Sequence, residues 1–254
     1  MQILLTNDDG VQAPGLWVLR EALEALGCVT VVAPRTEQSG VGHSVTYHRP
    51  ITAEQVNLPG GRVAYAVEGT PADCAKFGLF HVFQGPPDLL VSGINGGLNL
   101  GPSVFSSGTV AAAVEGAIRG VMSVAVSCPP ENFEQPALTA GQALRALRAI
   151  LETPGPGPAA YNVNLPLLNG VDPEIRFTHH CEAPLPERYR REDGPEGAEV
   201  GFQLDYDPDA DQPRPPGGCD VAAVTEGMIS VTPLRVNLTD MDYLRRRRGP
   251  QAEE

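Results

Sequence analysis

The sequence predicts an α/β fold, a doubly wound and mostly parallel sheet, and three observations predict it. Short runs rich in leucine or β-branched residues end in polar turns. Segments with helical spacing of apolar residues separate them, and the links between the two kinds of segment are short. The 254 residues suffice for one large domain or a domain with an appendage, and an apolar content of 42% allows a substantial core.

Residues 2–6, QILLT, form an apolar run that stops at the polar turn NDDG, the pattern of a strand buried on both faces. Pro14 and Gly15 precede LWVLREALEALG, where Leu16, Leu19, Leu23 and Leu26 recur at helical spacing and Gly27 suits the helix end. VTVVAP (29–34) is a β-branched strand running into the loop RTEQSGVGHS, and this β-α-β unit implies a right-handed crossover between parallel strands. ITAEQV and RVAYAV read as strands joined by a hairpin at LPGG. GTPADCAKFGLFHVF (69–83) reads as a helix capped by Thr70, with Pro71 in its first turn. PDLLVSGING (87–96) is another buried strand, SSGTVAAAVEGAIRG (106–120) a loop entering an alanine-rich helix, and MSVAVSC (122–128) a further strand. TAGQALRALRAILE (139–152) is amphipathic, with Leu144, Leu147 and Leu151 on one face, and YNVNLP (161–166) closes the alternation.

That alternation defines a core at 1–166 and an extension at 167–254. Residues 182–219, rich in proline, glycine and charge, are expected as an exposed excursion; 219–234 returns to strand character and 239–248 to a short helix. Arg245–Arg248 read as a solvated helix end, not a nucleic-acid patch. His179 and His180 lack metal-type spacing and are expected on a strand.

Composition removes several classes of function. A net charge of −13 opposes binding of a nucleic-acid polymer, which needs basic residues against its phosphates. A small phosphorylated ligand remains compatible, because a bound cation inverts the local field. No segment reaches the ~18–20 unbroken apolar residues of a membrane helix. The start, MQILLTNDDG, is not basic and turns acidic, unlike a secretory signal. Five scattered cysteines with no CxxC pair are expected as reduced thiols of a cytoplasmic protein.

In an open parallel sheet, ligands bind beyond the carboxyl ends of the strands. Polar residues gather there: Asn7, Asp8 and Asp9 after the first strand, Glu37, Gln38, Ser39 and Gly40 after the second, Ser92, Asn95 and Asn99 after LLVSGIN, and Ser106, Ser107, Gly108 and Thr109 at a helix start. Adjacent Asp8 and Asp9 repel each other and gain most from a cation, with Gly10 turning both toward one place; the alternative is that they only cap the following turn and helix. An all-oxygen set suits magnesium, manganese or calcium. If Ser39 and Asn95 complete it, two carboxylates balance a divalent ion and leave positions open for water and phosphate oxygens. The Ser106–Thr109 helix start offers N–H groups to phosphate, with Asn99 beside it, although capping alone would explain it. Neither GxGxxG, GxxxxGK[ST] nor GxSxG is present. His43 reads either as a proton donor near the Ser39 loop or, the preferred reading, as an ordinary loop histidine.

LLTNDDG, APRTEQSG, GTPADC, LVSGINGGLNLG, SGTVAAAVEG, YNVNLP and ISVTPL, collinear from residue 1 to about 240, together resemble the SurE (survival protein E) family of nucleotidases. The resemblance implies a Rossmann-like core and a β-rich C-terminal extension used to form homodimers or homotetramers. It implies hydrolysis of nucleoside 5′-monophosphates, in some members also of 3′-nucleotides or short polyphosphate, with one divalent cation per subunit, Mg2+ or Mn2+. The family's metal ligands carry over onto Asp8, Asp9, Ser39 and Asn95. Asn237 stands where relatives are expected to carry aspartate. Two rivals remain: a phosphatase forming an aspartyl-phosphate, which would use DxD spacing in place of DD, and a metal-dependent nucleotide sensor.

Overall fold

Alternation along the first strand sets the layers. In the computed structural model, which describes residues 1–153, 160–170, 172–183, 187–192, 200–206 and 215–248, β1 (Gln2–Thr6) turns Ile3 and Leu5 to one face and Leu4 to the other. All three are fully buried, so helices cover both faces. The chain continues through α1 (Pro14–Leu23), β2 (Cys28–Pro34), β3 (Ala53–Leu58), β4 (Arg62–Val67), α2 (Pro71–Phe77), β5 (Leu89–Gly96), α3 (Gly108–Ile118), β6 (Met122–Cys128), α4 (Pro136–Glu152) and β7 (Ala160–Asn164). Leu16, Leu19 and Leu23 of α1 and Ala143, Leu147 and Ile150 of α4 pack on the Ile3/Leu5 face. Cys74 and Ala75 of α2 and Ala112 of α3 pack on the Leu4 face.

β8 (Ile175–Phe177) and β11 (Ile229–Leu234) complete a nine-stranded sheet in the order β3-β4-β2-β1-β5-β6-β7-β11-β8. From β4 to β7 all neighbours are parallel; β3 is antiparallel to β4, β11 to β7, and β8 runs parallel to β11. This is the doubly wound, Rossmann-like α/β architecture. The chain leaves β1 toward β2 on one side and returns from β4 to β5 on the other. The order therefore reverses between β1 and β5, and a crevice opens beyond their carboxyl ends.

Departures from the sequence-based expectations have local causes. The buried stripe of α4 runs through Ala140, Ala143, Leu147 and Ile150, leaving Leu144 and Leu151 half-buried. Small alanines let the helix lie close, which rotates the leucine face outward. α2 is shorter than 69–83 because it passes at Gly78 into a π-helical turn, Gly78–Val82. His179 and His180 lie just past β8, His179 in an isolated bridge with Cys219.

Of the expected excursion, residues 184–186, 193–199 and 207–214 lie outside the described residues. β9 (Glu187–Glu192) and β10 (Gly201–Tyr206) pair antiparallel as a separate, exposed ribbon. Two helices follow, α5 (Asp220–Thr225) and α6 (Met241–Arg248). All five cysteines are free, and four of them are buried. Among the described residues no helix is long and apolar enough to cross a membrane.

Candidate active site

Beyond β1 the chain turns at once. Asn7 is fully buried, and its Nδ2 donates to Gly10 O at 3.0 Å. Gly10 has φ +98°, a conformation that other residues adopt only with strain. The turn aims Asp8 at α3: Asp8 Oδ1 accepts from Thr109 Oγ1 at 2.6 Å and Oδ2 from Thr109 N at 3.2 Å. This approach depends on Gly108, where an added Cβ would stand 3.1 Å from Asp8 Cβ and 2.9 Å from Pro71 Cγ.

The phosphate-seeking helix start is thus partly occupied. Thr109 N goes to Asp8, and Val110 N goes to the Ser107 hydroxyl, which caps α3. Among the described residues Gly108 N has no acceptor in this first turn. Ser106 is exposed, its hydroxyl donating to Ser103 O, and its own carbonyl accepts from Gly42 N at 3.0 Å.

Asp9 is half-buried, and Gly96 N–H donates to its carboxylate. Burial first, then the Asp8 charge and Glu37, push the Asp9 carboxyl up to about 6 against the Gly96 bond. Burial also raises Asp8, although its Thr109 bonds oppose that. Two carboxylates held together in partial burial are costly to ionise, and a cation between them removes the cost.

The remaining candidate ligands arrive through these same contacts. Gln38 N donates to Asp8 O at 2.8 Å, drawing the loop after β2 against β1 with Ser39 next in sequence. Ser39 is exposed and its hydroxyl donates to Glu37 Oε1 at 2.7 Å. Asn95 follows a register shift in β5 and precedes Gly96, the residue bonded to Asp9. Its Nδ2 donates to Gly97 O at 2.6 Å, which leaves the amide oxygen as an acceptor. Asn7 Oδ1 and Ser92 Oγ are buried at this end of the sheet without partners. Carboxylates, a hydroxyl and amide oxygens form an oxygen-only donor set that fits a hard divalent cation.

Asn99 sits deeper than a ligand contact would suggest. Its Nδ2 donates to Ser127 Oγ at 2.8 Å and its N to Asn164 Oδ1 at 2.8 Å, while its carbonyl accepts from Asn162 and Asn164. It fixes the loop between Asn95 and α3.

Other residues matter that sequence reasoning passed over. Asp73 accepts from Thr46 N, Thr46 Oγ1 and Thr70 N at 2.9, 2.7 and 3.0 Å, tying down the far end of the Ser39 loop. Burial would raise its carboxyl, but these bonds outweigh that and hold it below the usual range. Glu115, on α3 and 3% exposed, accepts from Lys76 Nζ at 2.6 Å and pairs with His43 Nε2 at 2.8 Å. Lys76 is the only lysine in the chain, a signal that could have singled it out. A cavity of about 560 Å3 runs along α3, with Phe105, Val110, Val114 and His43 in its wall.

Comparison with known proteins shows the family. The family model described as Survival protein SurE matches residues 3–185. A protein named 5′-nucleotidase SurE from Rhodopirellula baltica is 44% identical over 250 residues, covering 96% of this chain and 96% of the relative. One of the same name from Herpetosiphon aurantiacus is 40% identical, covering 97% and 96%. The crystal structure of the SurE protein from Aquifex aeolicus superposes with a TM-score of 0.79 at 34% identity, over 98% of this chain and all of that one. Fold, paired aspartates and near full-length similarity to proteins that carry the name 5′-nucleotidase lead to one assignment: the chain belongs to the SurE family.

Proposed function

We infer that this protein is a phosphomonoesterase that hydrolyses nucleoside 5′-monophosphates to nucleoside and phosphate, using one divalent cation per subunit, Mg2+ or Mn2+. The observation that carries this reading is the Asp8–Asp9 pair at the switch point, with α3 closing on Asp8 through Thr109. The names of the similar proteins support the substrate class. Asp8, Asp9, Ser39 and Asn95 would hold the cation, which when bound supplies Lewis-acid polarisation of a phosphoryl oxygen.

Asp8 is oriented by Thr109 and holds its carboxylate in one pose. Asp9, the carboxyl with the milder environment, accepts the proton from the attacking water. Gly108 N–H, with the Ser106 and Ser107 turn, faces the charge that develops on the phosphoryl oxygens. Asn99 holds the intervening loop in place. The same site would accept 3′-nucleotides or short polyphosphate where their phosphate reaches this turn.

A panel of nucleoside monophosphates assayed for phosphate release with Mg2+, Mn2+ and EDTA tests the reading. Release abolished by EDTA and restored by the cation is expected. Asp8→Asn should lower kcat by roughly 10²-fold or more while circular dichroism stays unchanged; wild-type turnover in that variant refutes the assignment. Binding without release would point to a sensor, and a trapped aspartyl-phosphate to the covalent mechanism.

We further propose that residues 167–254 form an extension whose role is self-association into a homodimer or homotetramer. The β9–β10 register puts Tyr189, Phe202 and Leu204 on one face, and all three are exposed. An isolated two-stranded ribbon is marginal in water, and a second copy would cover that face. The five free thiols support a reducing, cytoplasmic location.

A further inference from the structure

We propose that His43, backed by Glu115, is the proton donor to the alkoxide that leaves when the phosphoester is cleaved. This rests on the phosphomonoesterase reading and adds the fate of the ester oxygen. A nucleoside oxygen is too basic to leave unprotonated near neutral pH, and a positioned acid on that side contributes roughly 10²–10⁴-fold. Asp8 is committed to Thr109, and in the proposed reaction Asp9 serves the attacking water.

Two histidines, His43 and His48, lie on the loop between β2 and β3 that carries Ser39; His43 is the nearer to Ser39 and the one paired with Glu115. Gly42, the neighbour of His43, donates to Ser106 O at 3.0 Å, which joins that loop to the turn starting α3. His43 Nε2 is 2.8 Å from Glu115 Oε1, so the ring is held through one nitrogen and Nδ1 is left for a substrate. Glu115 is in turn held by Lys76 at 2.6 Å. Burial alone would raise the Glu115 carboxyl, but the bonds from His43 and Lys76 outweigh it, and the group sits below the usual range. A carboxylate behind an imidazole fixes ring orientation, the arrangement hydrolytic triads use.

His43 shares a cavity of about 560 Å3 with three other charged or titratable residues of its lining, His179, His180 and Arg235. That volume lies within the roughly 300–1,000 Å3 of small-molecule sites and has room for a nucleoside along α3. In the step, the water oxygen bonds to phosphorus and the phosphorus–ester oxygen bond breaks. Its electron pair stays on the ester oxygen, which takes the proton from His43 Nδ1. The proton lost by water passes through Asp9 to solvent, and solvent reprotonates His43.

The test compares wild type with His43→Asn, His43→Gln and Glu115→Gln under saturating Mn2+ on two substrates. One is a nucleoside 5′-monophosphate, whose alkoxide needs a proton; the other is p-nitrophenyl phosphate, whose phenolate does not. For the His43 variants the nucleotide kcat should fall about 100-fold, and the fall on p-nitrophenyl phosphate should be at least tenfold smaller. Glu115→Gln should show the same split, reduced in size. Equal losses on both substrates, or no loss on the nucleotide, overturn the proposal. Melting temperature and Mn2+ affinity by calorimetry identify any variant whose loss reflects misfolding, and the split is then read from the others. A wild type inactive on both substrates with either cation overturns the phosphomonoesterase reading itself, so the two failures are distinguishable.

Discussion

Asp9 carries a charge that its own surroundings resist. Its carboxyl is raised from the usual 3.8 to about 6, by burial and then by Asp8. A raised carboxyl contributes stability that is fully present below pH 3.8 and lost as the pH climbs through about 6. Without a cation, Asp9→Asn should therefore melt higher than wild type at pH 7, by on the order of 1 kcal/mol once solvent screening is allowed for, with no gap near pH 4. Scanning calorimetry across that range checks it, and added cation should lift the wild type far more than the variant. Glu115 has the opposite sign: its lowered carboxyl stabilises above the ordinary glutamate range, and the benefit goes as the pH falls through its depressed value. Glu115→Gln should thus lose stability at pH 7, with the difference closing in acid. The Asp8–Asp9 pair was legible because adjacency in sequence is adjacency in space. The Glu115 cluster was not, since His43 lies 72 positions away and Lys76 39, and no local pattern encodes such a meeting.

At the scale of elements, α3 shows how a helix can serve a site through its first turn. Gly108→Ala would set a methyl against Asp8 and Pro71, so the helix start must retreat. We expect a loss of about 1–3 kcal/mol and a kcat reduced tenfold or more, because small misplacements at a site are costly; denaturant titration and turnover measured together check both. α4 teaches a different lesson. Its period announced a helix, but not which side would face inward, because alanines can take the close face when space is short. Leu147, fully buried, should cost about 2–5 kcal/mol on replacement by alanine, and half-buried Leu144 clearly less. Helix extent was readable from spacing, and rotation was decided by the neighbours.

For the whole molecule, the β-α-β alternation was enough to place the crevice, because right-handed crossovers restrict how such a chain can wind. The sheet beyond β7 was harder to foresee. β11 joins it antiparallel and brings β8 with it, pairings between segments far apart in the chain. If the β9–β10 ribbon holds subunits together, Phe202→Asp with Leu204→Lys should lower the mass seen by sedimentation while leaving the core's melting transition in place. The chain owns a single ε-amine, that of Lys76, and it is clasped to Glu115 between α2 and α3. Any acylating reagent that finds a lysine here reports on one address alone, so its labelling rate is a clock for how often those two helices part.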